Sequence, residues 1–141
     1  MRSFFKKRQS EPDAAVSGHA GARVLIVDDS PTELHLMRQI LEKGGYQVLT
    51  AENGEAGVAE AVRSRPDVIL MDVVMPGLNG FQATRQLSRE PETAGIPIIM
   101  VTTKGQETDR AWGLRQGARE YVVKPVAADE LLGKIRLVMD A

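Results

Sequence analysis

The 141 residues include no cysteine. This excludes disulfides, thiolate nucleophiles and cysteine-ligated zinc. Imidazoles are nearly as scarce. His19 and His35 are the whole supply, too few for a histidine metal cluster. An excess of one charge is also missing: the net charge is -1, which predicts no nucleic-acid footprint. No apolar run is long enough to span a membrane. The basic start, Met1 to Arg8, lacks the apolar core of a signal peptide. A cytoplasmic protein is expected. Hydrophobic residues make up 43% and charged residues 26%, the balance of an ordinary globular domain.

What is present is a set of apolar runs that end in polar groups. Asp28 and Asp29 close Val24 to Val27, Asp72 closes Val68 to Met71, and Thr102 closes Ile98 to Val101. Lys124, followed by Pro125, closes Tyr121 to Val123. Short continuous apolar runs suit strands buried on both faces of a parallel sheet. All five polar groups would then gather at the carboxyl edge of the sheet, where open α/β folds bind ligands.

Residues 1 to 22 differ from the rest. Arg2, Lys6, Lys7 and Arg8 against Glu11 and Asp13 leave this stretch at +2 and residues 23 to 141 at -3. It is small, polar and without period, so a disordered tail or linker is expected. Phe4 and Phe5 beside the basic cluster make too short a patch for stable anchoring to a membrane or partner.

From Arg23 the pattern alternates strand and helix five times. Ser30-Pro31-Thr32-Glu33 predicts a helix start with a serine cap, proline at the first position and a capping box through Glu33. Leu34, Met37, Ile40 and Leu41 follow at helical spacing, and Gly44-Gly45 ends the run. A short strand covers Gln47 to Ala51. Asn53 caps a second helix that stops before Pro66, and Asn79 a third that begins at Phe81. Pro97 opens strand four, helix four covers about Gln106 to Gln116, and the last helix spans Ala128 to Met139. Strict alternation argues for a parallel sheet with helices on both faces and right-handed crossovers. Only about two residues follow the last helix, so no effector domain of its own is expected.

Carboxylates that converge repel one another and favour a divalent cation between them. With oxygen ligands alone, magnesium fits best for Asp28, Asp29 and Asp72. Magnesium held by few carboxylates usually partners a phosphoryl group. Thr102 can donate to one phosphoryl oxygen and Lys124 can place a compact positive charge on another. Asp72, on the central strand, is then placed as the nucleophile, and its attack on phosphorus gives an acyl phosphate. Taken singly, each residue has an ordinary reading as a turn former, cap or loop residue. Their joint occurrence at the strand ends is what points to a site.

Val27-Asp28-Asp29-Ser30, Met71-Asp72-Val73-Val74-Met75-Pro76-Gly77-Leu78-Asn79-Gly80 and Tyr121-Val122-Val123-Lys124-Pro125 resemble the response-regulator receiver domain (CheY-like). The likeness covers about residues 23 to 141. It implies a flavodoxin-like (βα)5 fold with strand order 2-1-3-4-5. It also implies that Asp72 accepts a phosphoryl group from a chemotaxis-type histidine kinase or its phosphotransfer domain. Asp29 and Asp72 would bind Mg2+ directly, Asp28 through water, and the Val74 carbonyl would complete the protein ligands. Thr102 and Lys124 would hold the phosphoryl oxygens, and Pro125 is a candidate for a cis bond. Tyr121 matches the family's switch aromatic, which enters space vacated by Thr102 and biases the surface made of helix four, strand five and helix five. Val74 and Lys104 match positions that tune attack of water on the acyl phosphate. Trp112, on helix four, is expected to pack rather than to anchor a partner. Finer likeness, in Asp28 to Glu33, Gly77 to Gln86 and Thr102 to Asp109, points to receivers of type IV pilus chemosensory systems.

The expected protein is a mostly monomeric phosphoacceptor rather than an enzyme in the usual sense. Its phosphorylated form would act on a downstream motility or kinase-complex protein. Two alternatives stay open: a phosphate sink for a shared kinase, and a pseudo-receiver that binds partners without phosphorylation. Small-molecule phosphatases of the haloacid dehalogenase type need a second acid two residues after the nucleophile, where this chain has Val74. A flavin carrier is disfavoured because an acidic loop after strand one would repel phosphate.

Overall fold

The computed structural model describes residues 19–141. The expected tail therefore lies mostly outside the described residues, including Phe4, Phe5 and the basic cluster. Its last residues are hydrogen-bonded to the elements that follow. Gly21 N donates to Gly45 O at 2.7 Å, Gln47 N donates to Ala22 O at 2.9 Å, and His19 Nε2 stands 2.6 Å from Asp140 Oδ1. The turn at 19–21 is thus tied to the loop before the second strand and to the last helix.

The strands are β1 (Arg23–Val27), β2 (Gln47–Ala51), β3 (Val68–Met71), β4 (Ile98–Thr102) and β5 (Glu120–Val123). The helices are α1 (Pro31–Lys43), α2 (Gly54–Ser64), α3 (Gly80–Arg89), α4 (Glu107–Gln116) and α5 (Ala128–Asp140). All strand pairs are parallel and the order is β2-β1-β3-β4-β5, as expected. The register aligns the carboxyl ends: Val27 pairs with Ala51 and Met71, Met71 with Met100, and Thr102 with Val123. One-residue alternation sends successive side chains to opposite faces. Val24 and Ile26 meet Leu34, Met37, Leu41, Leu131 and Ile135 of α1 and α5. Leu25 and Val27 meet the other core, with Ala61, Ala83 and Leu87 of α2 and α3. Each fully buried leucine or isoleucine stabilises the fold by roughly 2 kcal/mol.

The helix starts obey the capping rules. Asn53 Oδ1 accepts from Ala56 N at 2.7 Å. Asn79 and Gln82 form a complete capping box at the start of α3, one residue earlier than the expected Phe81. At α1 only half of the expected box forms. Ser30 Oγ accepts from Glu33 N at 3.3 Å, but the Glu33 carboxylate turns toward Lys124. Gly80 packs α3 tightly beneath the third strand, since a Cβ there would collide with the carbonyl oxygen of Asp72.

Candidate functional site

Each polar group at the carboxyl edge is positioned by the end of a different strand. Asp28 N donates to Ala51 O at 3.1 Å and Asp72 N to Val27 O at 3.0 Å, which extends the ladder by one residue past β1 and β3. Both side chains are buried, whereas Asp29 is exposed. The Asp28 carboxylate is fixed on two sides: Oδ1 accepts from Ser30 N at 2.9 Å, and Oδ2 accepts from Lys124 Nζ at 2.7 Å. The lysine arrives from β5, where Lys124 N donates to Thr102 O at 2.8 Å. The Lys124–Pro125 bond is cis.

One ammonium therefore faces three acids. Lys124 Nζ lies 2.7 Å from Asp28, 3.6 Å from Asp72 and 3.6 Å from Glu33. Burial disfavours its charge, but the Asp28 hydrogen bond and the charges of Asp72, Asp28 and Glu33 outweigh burial and raise its pKa. Asp72 also titrates above its ordinary value. Burial is the main cause and the Asp28 charge adds to it, while Lys124, the Thr102 hydroxyl and the Val73 N–H act in the opposite sense. Both values rise, which favours the charged lysine and the neutral aspartic acid, and the distances explain why. The lysine spends its short contact on Asp28 and leaves Asp72 undercompensated.

Surplus negative charge is thus built into this edge. Asp28, Asp29 and Asp72 each offer a carboxylate oxygen, and these atoms lie within 4.8 Å of one another. Glu33 Oε1 is buried without a hydrogen-bond partner among the described residues. An all-oxygen donor set with an acceptor beside it that lacks a hydrogen bond suits a hard divalent cation that keeps part of its water shell.

The other expected residues surround this core. Thr102 is fully buried at the end of β4, and its hydroxyl accepts from Lys104 N at 3.3 Å. Tyr121 is buried in β5 and donates to the Lys104 carbonyl at 2.6 Å. Burial, with the Asp109 and Asp72 charges, pushes the Tyr121 phenol up to about 12, against the opposing charge of Arg110. Val74, two residues after Asp72, is 54% exposed, and Lys104 is also exposed. Glu33 escaped the sequence reading because serine-capped helices commonly carry an acid three residues on. Its other signal was its place in the first turn after the acidic loop. Trp112 corrects an expectation: it is 45% exposed rather than packed.

The chain belongs to the response regulator receiver domain family, whose model matches residues 24–136. It is a receiver of the two-component signalling class, a phosphoacceptor family rather than one of conventional enzymes. Within that class it is 63% identical to the protein PilH of Pseudomonas aeruginosa over 118 residues, which is 84% of this chain and 98% of that protein. Among solved structures it is similar to chemotaxis protein CheY4 of Vibrio cholerae. The TM-score is 0.79 at 34% identity, covering 84% of this chain and 99% of that one. It is also similar to the receiver domain of the sensor histidine kinase PA1611 from P. aeruginosa, whose structure has a magnesium ion coordinated in the active site cleft. There the TM-score is 0.80 at 32% identity, covering 86% of this chain and 100% of that one. Among the described residues no helix is long and apolar enough to cross a membrane.

Proposed function

We propose that this receiver takes a phosphoryl group onto Asp72 from the phosphohistidine of a chemotaxis-type kinase and so regulates type IV pilus motility from the cytoplasm. The observation that carries the reading is the buried cluster itself: Asp72 lies 3.6 Å from an ammonium that is already engaged by Asp28. An Asp72 carboxylate oxygen would bond to phosphorus as the phosphorus–nitrogen bond to histidine breaks, leaving an acyl phosphate and a free imidazole. The pilus assignment rests on the similarity to PilH.

Asp28, Asp29, Asp72 and the Val74 carbonyl would hold Mg2+. Bound there, the ion supplies positive charge that screens the phosphoryl oxygens from the carboxylates. Lys124 exchanges part of its contact with Asp28 for a phosphoryl oxygen, and the Thr102 hydroxyl donates to another. Movement of Thr102 toward the phosphoryl group bears on Tyr121, whose hydroxyl is tied to the Lys104 carbonyl. That couples occupancy at Asp72 to the surface of α4, β5 and α5. The exposed Val74 and Lys104 side chains flank the approach of water and set the lifetime of the acyl phosphate. The receiver domain spans residues 23 to 141, with residues 1 to 22 as a basic tail or linker whose last residues rest on the domain.

Phosphotransfer tests this directly. An autophosphorylated chemotaxis-type histidine kinase from a pilus chemosensory system, mixed with the full chain and Mg2+, should lose label to it within minutes. Hydroxylamine should release that label, as it does from acyl phosphates. Label that resists hydroxylamine, or that reaches an Asp72→Asn variant equally, would contradict the assignment.

A further inference from the structure

Away from the acidic edge, α3 and α4 form the walls of a shallow cleft of about 420 Å³ lined by Arg85, Ser88, Arg89, Trp112, Arg115 and Gln116. Gly117 lets the walls close. It has a φ of +120°, and a Cβ there would collide with Ser88 Oγ. The three arginines are exposed, and none has a carboxylate within 4.0 Å among the described residues. Arg115 lies over the Trp112 ring, 6.0 Å from its centroid, which holds guanidinium and indole side by side. Trp112 is exposed because α4 meets the sheet through Gly113. A Cβ on Gly113 would stand 3.2 Å from the Tyr121 ring and 3.3 Å from Met100. So close an approach turns the larger neighbours outward.

We infer that this cleft docks a carboxylate-rich segment of a partner protein, with the arginines engaging its acids and Trp112 packing against its backbone or an apolar side chain. Charge complementarity carries the choice. Residues 23 to 141 bear a net charge of -3, yet three arginines without a carboxylate partner among the described residues line one cleft, and one of them lies over its tryptophan. Arginine and tryptophan are also the side chains most enriched at energetic centres of interfaces. A nucleic acid would need a longer track of cations to offset repulsion from the rest of the surface. An anionic membrane favours a protruding basic face, whereas these arginines line a recess between two helices. Docking here does not require phosphorylation. The cleft nevertheless shares α4 with the Tyr121 contact.

Trp112 is the chain's single tryptophan, so emission excited at the red edge, where tyrosine barely absorbs, comes from this cleft. The full chain is titrated at low salt with a synthetic octapeptide of glutamate and aspartate around one leucine, and with its glutamine–asparagine counterpart. An oligothymidylate and phosphatidylglycerol vesicles serve as competing classes. A saturable change in Trp112 emission is expected with the acidic peptide and not with the neutral one. The combined variant R85Q/R89Q/R115Q should weaken it by about tenfold, with an unchanged circular dichroism spectrum. If that variant does not fold, the singles Arg85→Gln and Arg89→Gln replace it, each weakening the response by a smaller factor. The inference is overturned by no emission change, by equal responses to the acidic and neutral peptides, by an unaltered response in the variants, or by a stronger response to the oligonucleotide or the vesicles.

Discussion

The two ends of the same five strands handle charge in opposite ways. At the amino end charged groups are satisfied by hydrogen bonds or by an opposite charge. Arg23 N donates to Asp67 Oδ2 at 2.8 Å, and the Arg23 guanidinium donates to the carbonyls of Ser64 at 2.5 Å and Arg65 at 2.9 Å. At β5, Lys134 meets Glu120 at 2.8 Å. At the carboxyl end one lysine faces three acids, and a carboxylate oxygen of Glu33 is buried without a hydrogen bond among the described residues. Matched charges hold strand ends in register. Unmatched buried charges cost stability, so their presence marks an edge shaped for a ligand that supplies the missing positive charge.

The largest expected effect comes from removing the one cation at the carboxyl end. Lys124→Ala leaves Asp28, Asp72 and Glu33 without compensation and should destabilise the chelator-treated protein by roughly 3 kcal/mol. Millimolar Mg2+ should recover much of that loss, read as the urea midpoint with and without metal. A variant as stable as wild type, or one indifferent to Mg2+, would mean that the acids are not in electrostatic conflict.

The matched end should respond differently. Arg23→Ala removes two hydrogen bonds to carbonyls, one part-buried and one exposed, and should cost about 1 kcal/mol. Mg2+ should stabilise this variant as much as it does wild type, and phosphorylation should proceed at the normal rate. A loss of phosphorylation in a folded Arg23→Ala protein would erase the distinction between the two ends.

The smallest effect is the most diagnostic of Asp72. Burial raises its pKa above the unfolded value of 3.8, with Asp28 adding to the shift. Stability linked to the protonated form is therefore complete below that value and is lost as pH rises through the higher folded pKa. Asp72→Asn stays neutral throughout, so it keeps that contribution where wild type loses it. Without metal, the variant should melt roughly a few degrees higher at pH 7, and the advantage should shrink as pH falls toward 4. Thermal scans across that range in which the variant shows no advantage, or one that does not shrink as pH falls, would show that Lys124 fully compensates Asp72.

Much of this contrast was legible in the sequence. Runs such as Val68–Met71 are buried on both faces, so their apolar character alone located the strands and put the polar groups at strand ends. The site residues stood out because Asp28, Asp29, Asp72, Thr102 and Lys124 each interrupt such a run. Glu33 did not, because its position has a sufficient local explanation in capping, and only tertiary packing directs its carboxylate to Lys124. Trp112 was misread for a related reason. Gly113 is the sole buried residue of α4, so the helix has no apolar stripe from which to judge which side a tryptophan takes. The anchoring of 19–22 depends on backbone hydrogen bonds to Gly45 and Gln47, which composition does not encode.

On the function proposed above, the surplus acids at the carboxyl end form a magnesium-dependent phosphoacceptor at Asp72. Intact-protein mass after incubation with acetyl phosphate tests it most directly, in wild type and Asp72→Asn, with Mg2+ and with chelator. The account predicts a gain of one phosphoryl group in wild type with Mg2+ only. An equal gain in Asp72→Asn, or a gain that survives the chelator undiminished, would contradict it.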